Sequence, residues 1–165
     1  MKINEQIAQH LLDVNEGANW TDVNIKDTIE GVSWKEANVV TGASSNTIAS
    51  LLHHISFYND IVKERLSGNY PSINDLNGFD IERIKNENDW AKLKEKSLQS
   101  ARDLAYDVKK FPDEKLFDLT ENGHDTYYKM LHGVIEHAHY HLGQMVLLKN
   151  LIRQKNPEPQ RSSSL

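Results

Sequence analysis

The chain has 165 residues, of which 38% are hydrophobic and 26% are charged, as expected for one globular domain with its own core. Its formal net charge of -5 and its scattered lysines and arginines argue against a nucleic-acid-binding protein, because phosphate recognition needs clustered positive charge. The absence of cysteine excludes disulfides, thiolate metal ligands and cysteine nucleophiles within the chain.

Helical periodicity begins near the N-terminus. Apolar side chains recur every three or four positions over residues 3–16 and a glycine follows, so this segment forms the first predicted helix. Residues 19–40 form a long connection, in which Ser33 and Glu36 have the spacing of a capping box and predict one short helix. We expect the whole connection, residues 17–46, to let the first and second long helices run parallel.

Three more long helices follow. The second is predicted over residues 47–66, after several residues that can serve as its N-cap, and a loop rich in Asn and Asp covers residues 71–87. The third runs from about residue 89 to 109 and ends before Pro112, because the interior of a helix does not accept proline. The fourth extends from about residue 126 to 153.

These elements indicate an all-α protein, because no segment shows the alternating pattern of a strand. We expect residues 1–155 to form a single four-helix bundle domain, since four helices of this length can share one core. Residues 156–165 contain two prolines and three serines, which predicts a loose C-terminal tail.

The sequence also allows predictions about the cellular location of the protein and about its self-association. No segment is long and apolar enough to span a bilayer, and the N-terminal residues lack the apolar stretch of a signal peptide. We therefore expect a cytoplasmic protein that binds neither membranes nor nucleic acids. Apolar residues on the outer side of the last helix, together with Trp20 and Trp34, are candidates for a homodimer interface.

Two histidines of the fourth predicted helix point toward the core. His137 and His141 are four residues apart, so their side chains lie one turn apart on a face that is otherwise apolar, and Gln144 lies on that face too. Burying two neighbouring imidazoles is costly unless they share a partner, and neutral imidazole is a natural ligand of divalent metal ions. The alternative is two core histidines, each hydrogen-bonded to a carbonyl or carboxylate group.

The second predicted helix offers a third ligand. Within Leu52-His53-His54-Ile55, His54 lies at the edge of the side that faces the core, and His53 points nearly the opposite way. His54 is therefore the better candidate, and His53 is interpreted as a solvated or interface histidine. The chain contains neither the His-Glu-x-x-His motif of zinc proteases nor a Gly-rich phosphate loop.

Two motifs resemble those of a known family. The segment from His137 to Gln144 resembles the C-terminal histidine signature of the DinB-like superfamily, with Leu142 where the family more often has Arg. Leu52-His53-His54-Ile55 is similar to the histidine motif on that family's second helix. The resemblance covers most of the chain, from this motif to about Leu151, and includes the connection before the fourth helix.

The resemblance implies an up-up-down-down four-helix bundle, often dimeric, with a three-histidine site for one divalent metal ion, nickel or zinc. Its ligands would be His54, His137 and His141, which helix geometry also favours. Relatives in this superfamily include transferases and an isomerase that use a low-molecular-weight thiol, so such a thiol is an implied cofactor. Gln144 is then a candidate supporting residue beside the metal.

Three functional hypotheses follow. The first is a metal-dependent enzyme, a thiol-dependent transferase or hydrolase that acts on a small molecule. The second is a non-catalytic protein that binds metal or a small molecule in a stress response. The third is an interaction module whose histidines never meet a metal. For the enzyme, the candidate acid or base groups are Tyr58, Tyr127, Tyr128 and Glu136.

Overall fold

The computed structural model describes residues 2–155, and these contain six α-helices and no strand. In chain order the helices are α1 (Ile3–Glu16), α2 (Ile25–Ile29), α3 (Trp34–Ala37), α4 (Ile48–Leu66), α5 (Glu87–Lys110) and α6 (Tyr127–Lys155). This confirms the all-α bundle, and the four long helices begin and end within two residues of their predicted bounds. No helix in the described part is long and apolar enough to cross a membrane. The predicted loose tail, residues 156–165, lies outside the described residues.

The connection between α1 and α4 contains two short helices. The hydroxyl of Ser33 accepts a hydrogen bond from the backbone N–H of Glu36 (3.3 Å), and the Glu36 carboxylate accepts one from Ser33 N–H (2.8 Å), which confirms the capping box of α3. α2 was not predicted, because five residues are too few to show a helical period. It is capped by Asn24, whose side chain accepts from Asp27 N–H at 2.8 Å.

Contacts at the two ends of α1 fix its direction relative to α5. The Asn4 side chain, near the start of α1, donates to the carbonyl of Lys109 near the end of α5 at 3.0 Å. Glu16, at the end of α1, forms a 2.6 Å ion pair with Arg102, which lies earlier in α5. α1 and α5 therefore run antiparallel.

α4 and α5 run parallel although they are consecutive in the chain. The Asn59 amide of α4 donates to the hydroxyl of Ser100 at 3.1 Å. One turn later in both helices, Lys63 lies 3.8 Å from Asp103. Because the contacts advance in the same direction along both helices, α4 and α5 point the same way.

α6 runs antiparallel to α4. The hydroxyl of Tyr70, just after α4, accepts from the backbone N–H of Glu121, just before α6, at 2.9 Å. His54, in the first half of α4, meets His137 in the middle of α6. The order of directions along the chain is therefore up-down-down-up. The expected up-up-down-down order was wrong, as was the expectation that the first two long helices run parallel.

The paths of the two long connections explain this topology. Two consecutive parallel helices need a connection that returns along the whole helix, and here that connection is residues 67–86, between α4 and α5. Residues 17–47 form a still longer connection, but α2 and α3 occupy it and pack at one end of the bundle. There Lys149 of α6 donates to the carbonyl of Thr28 at 2.7 Å. The return segment 67–86 passes directly over the functional site described below.

Candidate metal centre

Three histidine side chains from two helices meet inside the bundle. They are His54 of α4 and His137 and His141 of α6. The Nε2 atom of His137 lies 2.9 Å from Nε2 of His54 and 3.0 Å from Nε2 of His141. The four-residue spacing on α6 stacks two of the rings on one face, and the antiparallel α4 supplies the third. The structure thus brings together the three histidines selected from the sequence.

Burial keeps these imidazoles neutral. His54 and His141 are only 3% and 6% exposed. Burial, together with neighbouring imidazoles, lowers the pKa of His54 to about 4 and that of His137 to about 3, and the hydrogen bond to Asn77 opposes the shift of His54. Burial also lowers the pKa of His141, against a hydrogen bond to Gln144 that raises it. Near neutral pH each ring therefore carries a lone pair on one nitrogen, the form in which histidine binds metal ions.

Hydrogen-bond acceptors fix the tautomer of two of the rings. Nδ1 of His54 donates to the backbone carbonyl of Asn77 at 2.7 Å, and Nδ1 of His141 donates to Oε1 of Gln144 at 2.7 Å. Both rings therefore present the lone pair of Nε2 to the centre of the cluster. His137 has no partner for Nδ1 within residues 2–155, so its proton is free to occupy either nitrogen.

The donor set fits a divalent metal ion. His137 can donate one proton to only one of its two neighbours, so the neutral cluster has a close N···N contact without a hydrogen. A cation shared by the three lone pairs removes that repulsion. Two nitrogens bound to one ion at normal zinc distances lie about 2.9 to 3.4 Å apart, which includes the observed separations. No other group of three His, Asp or Glu side chains in the described residues is close enough to share an ion.

The return segment 67–86 completes the site, which the sequence did not reveal. Its Asn77 binds His54 through the backbone carbonyl and also accepts, through Oδ1, a 2.5 Å hydrogen bond from the hydroxyl of Tyr58. Phe79 stacks on the ring of His54 with the centroids 3.9 Å apart. Asn77 and Gly78 both have positive φ, at 50° and 73°, and the Asn-Gly pair was the one available sequence signal for this turn.

A cavity of about 610 Å³ opens beside the histidines, within the size range of small-molecule sites. Its lining is part polar and part apolar. The polar side chains include Tyr58, Arg65, Asn77, Lys129, Glu136 and Tyr140, and the apolar ones are Val62, Phe79, Met130 and Val134.

Several residues considered from the sequence lie elsewhere. Tyr127 packs on Phe111 and Tyr128 stacks on Phe117, so neither lines the cavity, whereas Tyr58 and Glu136 do. His53 is half-buried outside the cluster, where its Nδ1 binds the carbonyl of Gly78 at 2.9 Å. Gln144 contacts His141 as the shared helix face predicted.

One protein family matches this chain. The sequence profile of the DinB superfamily matches residues 19–145, which include all three histidines and Gln144. The match extends over more than three quarters of the chain and leaves out α1 and the C-terminal part of α6. Comparisons with curated proteins and with solved structures found no match.

Proposed function

The chain belongs to the DinB superfamily, and from this premise we propose that it binds one divalent metal ion through His54, His137 and His141 and acts on a small molecule in the adjoining cavity. The observation that carries the proposal is the close contact of three neutral imidazoles. Nε2 of His137 lies within 3.0 Å of Nε2 of both His54 and His141. Three nitrogen ligands leave coordination positions open, which is typical of catalytic rather than structural sites.

The proposed reaction class is a thiol-dependent transfer or a hydrolysis. When bound, the metal lowers the pKa of a coordinated thiol or water and so supplies a nucleophile at neutral pH. Nitrogen ligands favour nickel or zinc over magnesium or calcium. The chain contains no cysteine, so a thiol has to arrive as a small molecule, and the cavity provides the space for it.

The surrounding residues have defined supporting roles in this proposal. Asn77 and Gln144 hold the rings of His54 and His141 by accepting from Nδ1, which keeps their Nε2 lone pairs directed at the ion. Phe79 covers one face of His54 and excludes water from it. Tyr58 contacts the His137 ring with the centroids 4.7 Å apart, and its hydroxyl is held by Asn77.

A non-catalytic role in binding a metal or a small molecule, as in a stress response, is the second candidate. One observation favours it: the carboxylates that line the cavity are poorly placed to act as a base. Glu136 is exposed, and Asp125 is bound to Lys129 at 2.6 Å. The expected homodimer and the cytoplasmic location stay predictions.

Elemental analysis and a substrate screen test the proposal in sequence. Protein purified without a metal-affinity tag should contain about one divalent ion per chain. The metal-loaded and metal-stripped forms are then compared for transfer of common cellular thiols to alkyl or aryl halides, in which an S–C bond forms, the carbon–halogen bond breaks, and the thiol proton and the halide ion pass to solvent. Turnover that requires the metal supports the enzyme. Stoichiometric metal without turnover on any thiol, halide or ester favours the binding protein, and absence of metal overturns both.

A further inference from the structure

Arg65 lies in the wall of the histidine cavity without an ionic partner. Its Nε atom is buried and has no hydrogen-bond partner within residues 2–155, and none of the ion pairs in that part of the chain includes it. The second cation of the cavity differs, because Lys129 is paired with Asp125 at 2.6 Å. Arg65 is therefore the cationic group of this cavity whose charge is not balanced by a neighbouring side chain.

The surroundings of Arg65 favour an anion as its partner. Its guanidinium lies 6.0 Å from the ring centroid of Tyr70, which covers one side of it. The N–H groups on the edge of a guanidinium match the two oxygens of a carboxylate, and such charge-assisted pairs are among the strongest hydrogen bonds in proteins. A ligand carboxylate would satisfy the buried Nε–H, whereas a cationic ligand would be repelled.

The distance to the histidines determines the shape of the ligand. His54 and Arg65 are eleven residues apart on α4, which corresponds to about 16 Å between their Cα atoms. Eleven residues correspond to about three helical turns, so both side chains lie on the same face of α4, and a ligand that reaches both has to be elongated. Between the two ends the lining includes the apolar side chains of Val62, Met130 and Val134, together with Tyr58, whose hydroxyl is bound to Asn77.

We propose that the ligand of this cavity is an elongated molecule with a metal-binding group at the three histidines and a carboxylate at Arg65. The middle of the molecule is apolar, to match the wall between the two ends. This inference rests on the proposed metal site and adds the charge and length of the ligand to it. It assigns Arg65 as a residue that determines specificity.

Mercaptoalkanoates are suitable probes, because they carry a thiol and a carboxylate joined by an aliphatic chain. Cobalt-substituted protein is titrated with mercaptooctanoate, whose thiol proton passes to the buffer as sulfur binds cobalt, and the sulfur-to-cobalt absorption band reports binding. Mercaptoacetate, which is too short to reach Arg65, and mercaptooctanol, which is neutral, are the comparison ligands. The variants are Arg65→Gln and, as a control, Lys63→Gln, which removes a charge from the same helix at its contact with α5.

The wild type and Lys63→Gln should bind mercaptooctanoate at least about 10-fold more tightly than either comparison ligand, as expected for a hydrogen-bonded charge pair. Arg65→Gln should lose this preference and retain its affinity for mercaptooctanol. Equal affinities of the wild type and Arg65→Gln for mercaptooctanoate, with cobalt bound normally in both, would overturn the role of Arg65 alone. Failure of the wild type to bind cobalt would instead overturn the metal site, and the inference with it.

Discussion

The backbone carbonyl of Asn77 accepts a 2.7 Å hydrogen bond from Nδ1 of His54, although the two residues are 23 positions apart and lie on different elements. The bond fixes the tautomer of a buried imidazole by means of a loop. Because a carbonyl can only accept, the ring has to direct its Nε2 lone pair at the other two histidines.

Changes at Asn77 should separate its backbone role from its side-chain role. Asn77→Gly and Asn77→Ala both lose the hydrogen bond to Tyr58, but only glycine accepts a φ of 50° without strain. We expect Asn77→Ala to be about 1 kcal/mol less stable than Asn77→Gly in urea unfolding, and to bind zinc more weakly. Equal stability of the two variants would show that the loop relaxes out of the left-handed conformation.

Single replacements of the three histidines should abolish high-affinity metal binding. His137→Ala removes the ring that contacts both other histidines. We expect the affinity for zinc to fall by more than the roughly 10- to 100-fold that is typical when a residue supporting a metal ligand is replaced. His139→Ala is the matched control, two residues away on the same helix and beside His10 rather than in the cluster. Zinc titration with a competing chelator measures both. Metal retained by His137→Ala would contradict the ligand assignment.

Gln144 should contribute to metal binding through His141. Gln144→Ala removes the acceptor that holds Nδ1 of His141 at 2.7 Å. We expect a roughly 10- to 100-fold weaker affinity for zinc, as for other residues that support a metal ligand. Gln144→Glu keeps an acceptor and should restore most of the affinity. If Gln144→Ala and Gln144→Glu have the same zinc affinity in a chelator competition, Gln144 contributes only to helix packing.

The Glu16–Arg102 ion pair should make stability depend on pH. The hydrogen bond from Arg102 lowers the pKa of Glu16 below its ordinary value of 4.5, so the unfolded chain takes up this proton more readily. The contribution is thus fully present above pH 4.5 and is lost as the pH falls through the lower folded pKa. At neutral pH Glu16→Gln should cost about 0.5 to 1 kcal/mol, because both side chains are partly exposed.

The matched control for this pair is Glu95→Gln. Glu95 contacts the same arginine at 3.5 Å, but its side chain is 69% exposed, so we expect almost no change. Urea unfolding at neutral pH and at about pH 3 compares the three proteins. The difference between the wild type and Glu16→Gln should shrink in acid, and a constant difference would assign the effect to packing.

Local patterns predicted the helices and the histidines, but not how the helices are connected in space. The long helices were predictable because each has a sustained apolar stripe, and the angle around α4 distinguished His54 from His53. The direction of α4 was not predictable, because residues 17–47 and residues 67–86 are both long enough to return along a helix, which allows either order. Asn77 was not predictable as part of the site, since its contact with His54 exists only once the return segment crosses α4.

The separation of the site residues along the chain has a consequence for how the protein is made. His54 is synthesised 83 residues before His137, so the growing chain contains His54 before it contains either of its partners on α6. Contacts of such long sequence separation form late, after local helices, because the loop between them has to be closed first. We therefore expect the imidazoles to become desolvated, and able to bind an ion together, only when α6 docks.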